Sequence, residues 1–390
     1  MTAATPAGPR RLPFPLDWHR PLLLVAGLMA LLALFALGAR FLSTTEVTGL
    51  NQWDKPLKFA LSSVIYTVTW SWLIAQVARG RRAARAAGTL IAAMLVVEVA
   101  VIAGAAAAGT TSHFNVSTPL STTLWAVMAG SIGVLWLANF VVAAMLFRDP
   151  LGDRARTLAI RLGALISLVG LGLGYLMTSP TAQQLADFEG IAGAHTVGLP
   201  DGGPGLPVLG WSTVAGDLRI PHFVGMHALQ ALPLGLLVLE LLSRRVRALA
   251  DVRVRVELMW LAAAGYSAVV ALVTWQALRG QSIVRPDVVT WTAAAAIVAG
   301  TTLAAAVLLL RRRPRPSPAP AAGSAEVPAT AAGGAGSAEV QRLTRGGRLD
   351  GSEREGERAE VALAARERST PLPDRSPELL HRPGPVDARQ

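Results

Sequence analysis

Apolar runs of about twenty residues recur along the chain as far as Leu310, and no other feature limits the fold as strongly. A hydrocarbon core about 30 Å thick takes about twenty apolar residues per helix. Eight stretches qualify: 21 to 42, 57 to 78, 87 to 109, 121 to 147, 157 to 177, 222 to 243, 256 to 278 and 287 to 310. The runs are continuously apolar rather than alternating, and a lone segment in lipid must satisfy its own backbone hydrogen bonds. The reading is therefore helix and not barrel strand. The expected fold class is all-α, a polytopic transmembrane helical bundle of about eight spans over 21–310. A short N-terminal segment, 1–20, precedes it and a tail, 311–390, follows.

Charge gives the orientation. Arg79, Arg81, Arg82 and Arg85 follow the second run, Arg148, Arg154 and Arg156 the fourth, and Arg244, Arg245, Arg247, Arg253 and Arg255 the sixth. The connection between the third and fourth runs has no Lys or Arg. By the positive-inside rule both termini are cytoplasmic, in a bacterial plasma membrane. The formal net charge of +11 is thus a topology signal, not a nucleic-acid footprint, and the partner it implies is the lipid bilayer. The first run is longer than a signal-peptide core and reads as an uncleaved anchor. From Arg311 onward, Pro-Ala-Gly stretches alternate with mixed charge, as in Ser352 to Glu360; that composition predicts a disordered cytoplasmic tail. The chain has no cysteine, which excludes disulfides, thiolate metal sites and cysteine nucleophiles.

The polar residues of interest gather on the arginine-poor side. Lys and Arg number 36 together, and the only lysines are Lys55 and Lys58, in the string Asn51-Gln52-Trp53-Asp54-Lys55-Pro56-Leu57-Lys58-Phe59. Two compact ammonium groups where the chain otherwise uses arginine suggest a binding site, the alternative being an interfacial anchor. For Lys55 the expected partner is a nearby acid such as Asp54. Glu98 lies near the middle of the third run, where an ionisable group costs about 2.5 to 3.5 kcal/mol to insert, so it needs a partner or a function. A hydrogen bond to Asn139 or to a backbone carbonyl is the structural alternative. His113, His195, His222 and His227, four of the six histidines, map to arginine-poor connections or the first turns below them. His222 and His227, five apart, point about 140° away from each other on a straight helix, whereas His227 and Gln230 share a face. The connection 178–221 is too long for an ordinary loop, and its Gly-Pro turns and acidic residues fit a lid over the outer mouth. In the fifth run Gly163, Ser167, Gly170 and Gly174 form a stripe of small residues, expected as a packing seam.

Three strings taken together, Trp53-Asp54-Lys55-Pro56-Leu57-Lys58-Phe59-Ala60-Leu61-Ser62, Ser112-His113-Phe114-Asn115 and Pro221-His222-Phe223-Val224-Gly225-Met226-His227-Ala228-Leu229-Gln230, make the core resemble an uncharacterised family of multi-pass bacterial membrane proteins. The resemblance implies about eight spans and no activity.

Function stays open between classes. Neutral imidazoles could hold haem or a divalent metal, with His113, His195, His222 and His227 as donors. A proton-coupled transporter or small-ligand receptor would use Asp54, Lys55, Lys58, Glu98, Asn139 and Gln230 around an outward cavity. A structural or assembly role needs neither, and no string specifies a reaction or an oligomeric state.

Overall fold

A computed structural model describes residues 17–311. Most of the N-terminal segment and the tail expected to be disordered lie outside the described residues. The described chain is all-α apart from two short β-ribbons. Its helices are α1 (Arg20–Leu42), α2 (Asp54–Gln76), α3 (Arg81–Ala107), α4 (Pro119–Arg148), α5 (Arg154–Leu173), α6 (Ala182–Ala186), α7 (Arg219–Met226), α8 (Ala228–Leu242), α9 (Val252–Leu278) and α10 (Val288–Arg311). Seven helices are long and apolar enough to cross a membrane, and α7 with α8, bent by 46°, gives an eighth if the pair is one span. The chain is a multi-pass membrane protein.

Local chemistry sets the helix starts. Pro119 opens α4 behind Thr118, whose hydroxyl accepts the Ser121 N–H at 3.1 Å. Asp153 caps α5 by accepting the Arg156 N–H at 2.8 Å, and Asp251 caps α9 through the Arg253 N–H at 2.8 Å. The main core joins α1 to α5 around Leu22, Trp70, Leu73, Ile91, Val142 and Ile160. Large apolar side chains on the outer faces, among them Leu24, Leu31 and Phe35 of α1, stay exposed. In water such a surface would aggregate; in lipid it is the solvated face. The last span, α10, packs on α9 and keeps most of its surface outward.

The sixth run departs from its expected form, because it is two helices and not one. Its break falls at His227, six residues before the helix-interior Pro233, so proline does not cause it. Tertiary contacts do. The stripe on α5 meets the break backbone to backbone: a side chain at Gly170 would collide with Gly225 and Met226, and one at Gly163 with Ala228. Carbonyls near the break find side-chain donors, the Val224 oxygen from the Tyr266 hydroxyl at 2.6 Å and the Met226 oxygen from Ser167 Oγ at 2.8 Å. A bent span survives in lipid only when its loosened carbonyls are satisfied in this way.

The connections alternate ends. Short loops join α2 to α3, α4 to α5 and α8 to α9, and these loops with the helix ends beside them carry most of the arginines among the described residues. At the opposite end, a ribbon of β1 (Glu46–Val47) and β2 (Leu50–Asn51) links α1 to α2, and a long excursion runs from the 3-10 turn Gly174–Met177 to Leu218. That excursion contains α6 and a second ribbon, β3 (Thr196–Val197) with β4 (Gly216–Asp217).

Candidate functional site

The excursion is held by its own acids. The Asp201 carboxylate accepts the main-chain N–H groups of His195 and Thr196, at 3.0 and 2.9 Å, and His195 Nδ1 at 2.5 Å. Burial pushes this carboxyl up, but the His195 and Thr196 hydrogen bonds outweigh it and hold Asp201 well below the usual carboxylate range. Asp217 is buried and receives both Arg219 Nε, at 2.9 Å, and Arg219 Nη2, at 2.6 Å, together with the Ser212 N–H at 2.8 Å. Arg219 also donates to the Gly210 carbonyl at 2.5 Å, and Lys58 Nζ donates to the Leu209 carbonyl at 2.7 Å. The acidic loop of the sequence is therefore a folded cover pinned to α2 and α7, with Asp201 and Asp217 spent on its own structure.

Beneath it lies a cavity of about 1480 Å³, bordered by α2 to α5, α7 and the excursion. Lys55, Lys58, Glu98, His113, His195 and His222 all line it. His113 sits at the centre of this group. Lys55 Nζ lies 3.1 Å from His113 Nδ1, and His113 Nε2 lies 3.7 Å from Glu98 Oε1. The ring also packs against Phe59, Trp125 and His195, with centroids 5.9, 5.7 and 6.3 Å away. Burial, then the positive charges of Lys55, His195 and His222, keeps the His113 imidazole well below its ordinary range, so it is neutral at pH 7. A neutral ring that accepts the Lys55 ammonium at Nδ1 carries its proton on Nε2, facing Glu98. Glu98 itself is 3% exposed, and among the described residues its Oε2 has no hydrogen-bond partner.

Several expected pairings are replaced by others. Lys55 does not pair with Asp54, which instead forms an ion pair with Arg40. Adjacent residues on a helix face different ways, so Asp54 turns to α1 and Lys55 to the cavity. Glu98 does not meet Asn139, which accepts the Tyr66 hydroxyl at 2.8 Å and donates to the Leu135 carbonyl at 2.8 Å. His227 and Gln230 do share a face, Nδ1 to Oε1 at 3.3 Å, and Gln230 Nε2 reaches Thr69 at 3.2 Å. Neither they nor Asp54 and Asn139 line the cavity. His222 does, while donating from Nδ1 to the Gly170 carbonyl at 2.8 Å. His113 and His195 are neighbours and His222 lines the same cavity, but among the described residues no three His, Asp or Glu side chains converge as a metal would require.

Some participants carried no sequence signal of their own. Tyr66, Phe59 and Met226 are ordinary apolar-run residues until α2 and α7 turn them to the cavity. Trp136 both donates to the Leu168 carbonyl at 3.0 Å and lines the cavity. No family model, curated protein or solved structure matches the chain, so the family resemblance rests on the three strings alone and the chemistry of the site on its own side chains.

Proposed function

We propose that this membrane protein is a proton-linked transporter of small molecules, with the cavity under the 178–218 excursion as its outward-facing binding site. The observation that carries the reading is the row Lys55, His113, Glu98 on one cavity wall, three titratable groups in sequence with an unpartnered buried carboxylate oxygen at its end. Such a row can pass a proton between ammonium, imidazole and carboxylate as a ligand arrives. An ionisable group kept at membrane depth is costly unless it serves that kind of purpose. The bent span supports transport specifically, since His222, Phe223 and Met226 of α7 border the cavity just before the break at His227. Discontinuous helices beside a binding site are a recurring transporter device. The haem or metal reading has less behind it, because among the described residues no three His, Asp or Glu side chains converge and two of the imidazoles are held through Nδ1 by Gly170 and Gln230.

The test uses the full chain in liposomes loaded with a pH-sensitive dye, with succinate, glutamate or octyl phosphate added outside under an inward proton gradient. At least one of these should drive proton influx about tenfold faster through the native chain than through Glu98→Gln, the usual scale for losing a positioned proton-transfer group being larger still. Equal rates for all three with both folded proteins would overturn the proposal.

A further inference from the structure

The cavity is larger than a small acid needs. Pockets for drug-sized ligands run from about 300 to 1,000 Å³, and this one holds about 1480 Å³. Its two ends differ in chemistry. The cover end carries Lys55, His113, His195 and Asp201, whereas the α4 wall is apolar, with Met128, Ile132 and Leu135; on α3, Glu98 stands between Leu95 and Ile102. Leu135 lies in α4 about 24 Å below the helix start at Pro119, near the middle of the span.

Side-chain accounting around Lys55 leaves one free donor group and one free acceptor to meet a ligand. Arg219 is spent on Asp217 and Gly210, and Lys58 on the cover carbonyls. Lys55 has three ammonium hydrogens and uses one, on His113. Glu98 Oε2 faces the same space without a donor, so an incoming acid head would meet an ammonium on one side and share a proton with Glu98 on the other. On the flank, Ala129 of α4 and Tyr175 and Leu176 of the turn after α5 line the cavity and are themselves exposed. Above them the cover is pinned down by Lys58 and Arg219.

From the Lys55 ammonium beside the unpartnered Glu98 oxygen, the apolar α4 wall and the exposed flank residues, we infer that the ligand is a single-chain amphiphile with an acidic head group, taken from the adjoining lipid leaflet between α4 and α5. This rests on the reading of the cavity as a ligand site. The chain of the ligand lies against Met128, Ile132 and Leu135, and its head sits at Lys55. Carboxylate and phosphate heads share the required chemistry.

Trp125 and Trp136 line the cavity and supply the readout. The full chain in phosphatidylcholine nanodiscs is titrated with dibromostearate while tryptophan emission is followed. Expected is a saturable quenching beyond that given by dibrominated phosphatidylcholine, reduced in Trp136→Phe. Displacement by stearate and by dodecyl phosphate separates the two heads, and dodecyltrimethylammonium should not compete. Lys55→Gln, checked for an unchanged melting curve, should weaken binding about tenfold or more, as for a lost charge-assisted hydrogen bond. Ala129→Trp, a change at an exposed position, should slow uptake while Lys55 stays in place. Quenching that never saturates, or competition by the cationic amphiphile, would overturn the inference. Proton movement with succinate but no saturable stearate binding would leave transport standing and remove the amphiphile. Saturable stearate binding without any acid-driven proton movement would do the reverse.

Discussion

The two ends of the bundle use the same kinds of residue in opposite ways. At the arginine-rich end, polar groups are consumed by structure. Asp149 is buried and accepts the main-chain N–H groups of Ala78 and Arg79 at 2.7 and 2.8 Å; Arg156 donates twice to Glu240, and Arg255 reaches Asp153 at 2.9 Å. His19, buried there, contacts the Arg85 carbonyl at 3.0 Å. At the other end, Lys55, His113 and Glu98 face open space, and one carboxylate oxygen has nothing to bond. Buried atoms without a hydrogen-bond partner occur at both ends, His19 Nδ1, Gln76 Nε2, Arg161 Nε and Arg255 Nε at the arginine-rich one. Among the described residues Glu98 Oε2 alone of these opens on a cavity, and an unpaired group facing open space is where stability has been given up for something else.

The sharpest way to break this comparison is to ask which end faces the medium. Because the chain contains no cysteine, a single introduced thiol is reported against zero background. Gly203→Cys, exposed and in open space on the cover, should label fully in intact cells with a membrane-impermeant maleimide. Ala250→Cys, exposed in the arginine-rich connection, should label only after the cells are opened. The reverse pattern would turn the outward site into an inward one.

Paired substitutions at the two ends should move stability in opposite directions. Asp149→Ala removes a buried acceptor from the part-buried N–H groups of Ala78 and Arg79 and should cost about 1 to 2 kcal/mol. Glu98→Leu removes a buried, half-satisfied carboxyl and should stabilise by about 1 to 2 kcal/mol, because apolar replacement of an uncompensated polar group removes a desolvation penalty. Thermal melting of the full chain in one detergent compares them directly. If Glu98→Leu destabilises as much as Asp149→Ala, Glu98 is a structural group and the contrast between the ends is lost.

The spans were legible because twenty apolar residues in lipid admit one local solution, and each predicted stretch begins or ends within a few residues of its helix or bent pair. The small-residue stripe of α5 was legible as a seam, but not what it seals. The bend at His227 depends on Gly170 touching Gly225 and on donors from Ser167 and Tyr266, contacts that join residues far apart in the chain. The same holds at the site. Lysine usage alone singled out Lys55 and Lys58, yet the pairing of Lys55 with His113 spans 58 residues and is set by how α2 packs beside the end of α3. Asp54 misled because sequence proximity suggested a partner, whereas helix geometry gave it to Arg40.

The smallest effect bears on the centre of the row. His113 is neutral when folded, held below the ordinary imidazole value of 6.5 chiefly by burial and then by Lys55, His195 and His222, with Glu98 opposite. A folded-state shift downward means that, as pH falls through 6.5, the unfolded chain takes up a proton that the folded chain refuses. The contribution of His113 to stability is thus complete above 6.5 and declines below it, by at most about 1.4 kcal/mol for each pH unit. The melting temperature should therefore drop between about pH 7.5 and 5.5, and His113→Gln, which keeps a polar side chain without the titration, should lessen that slope. The rest comes from His19 and His195, which burial also holds below the ordinary imidazole value. Asp201, shifted downward as well, acts only below the ordinary carboxylate range and leaves this window untouched. An unchanged slope in His113→Gln would mean that the neutral imidazole is not what separates the open end from the closed one.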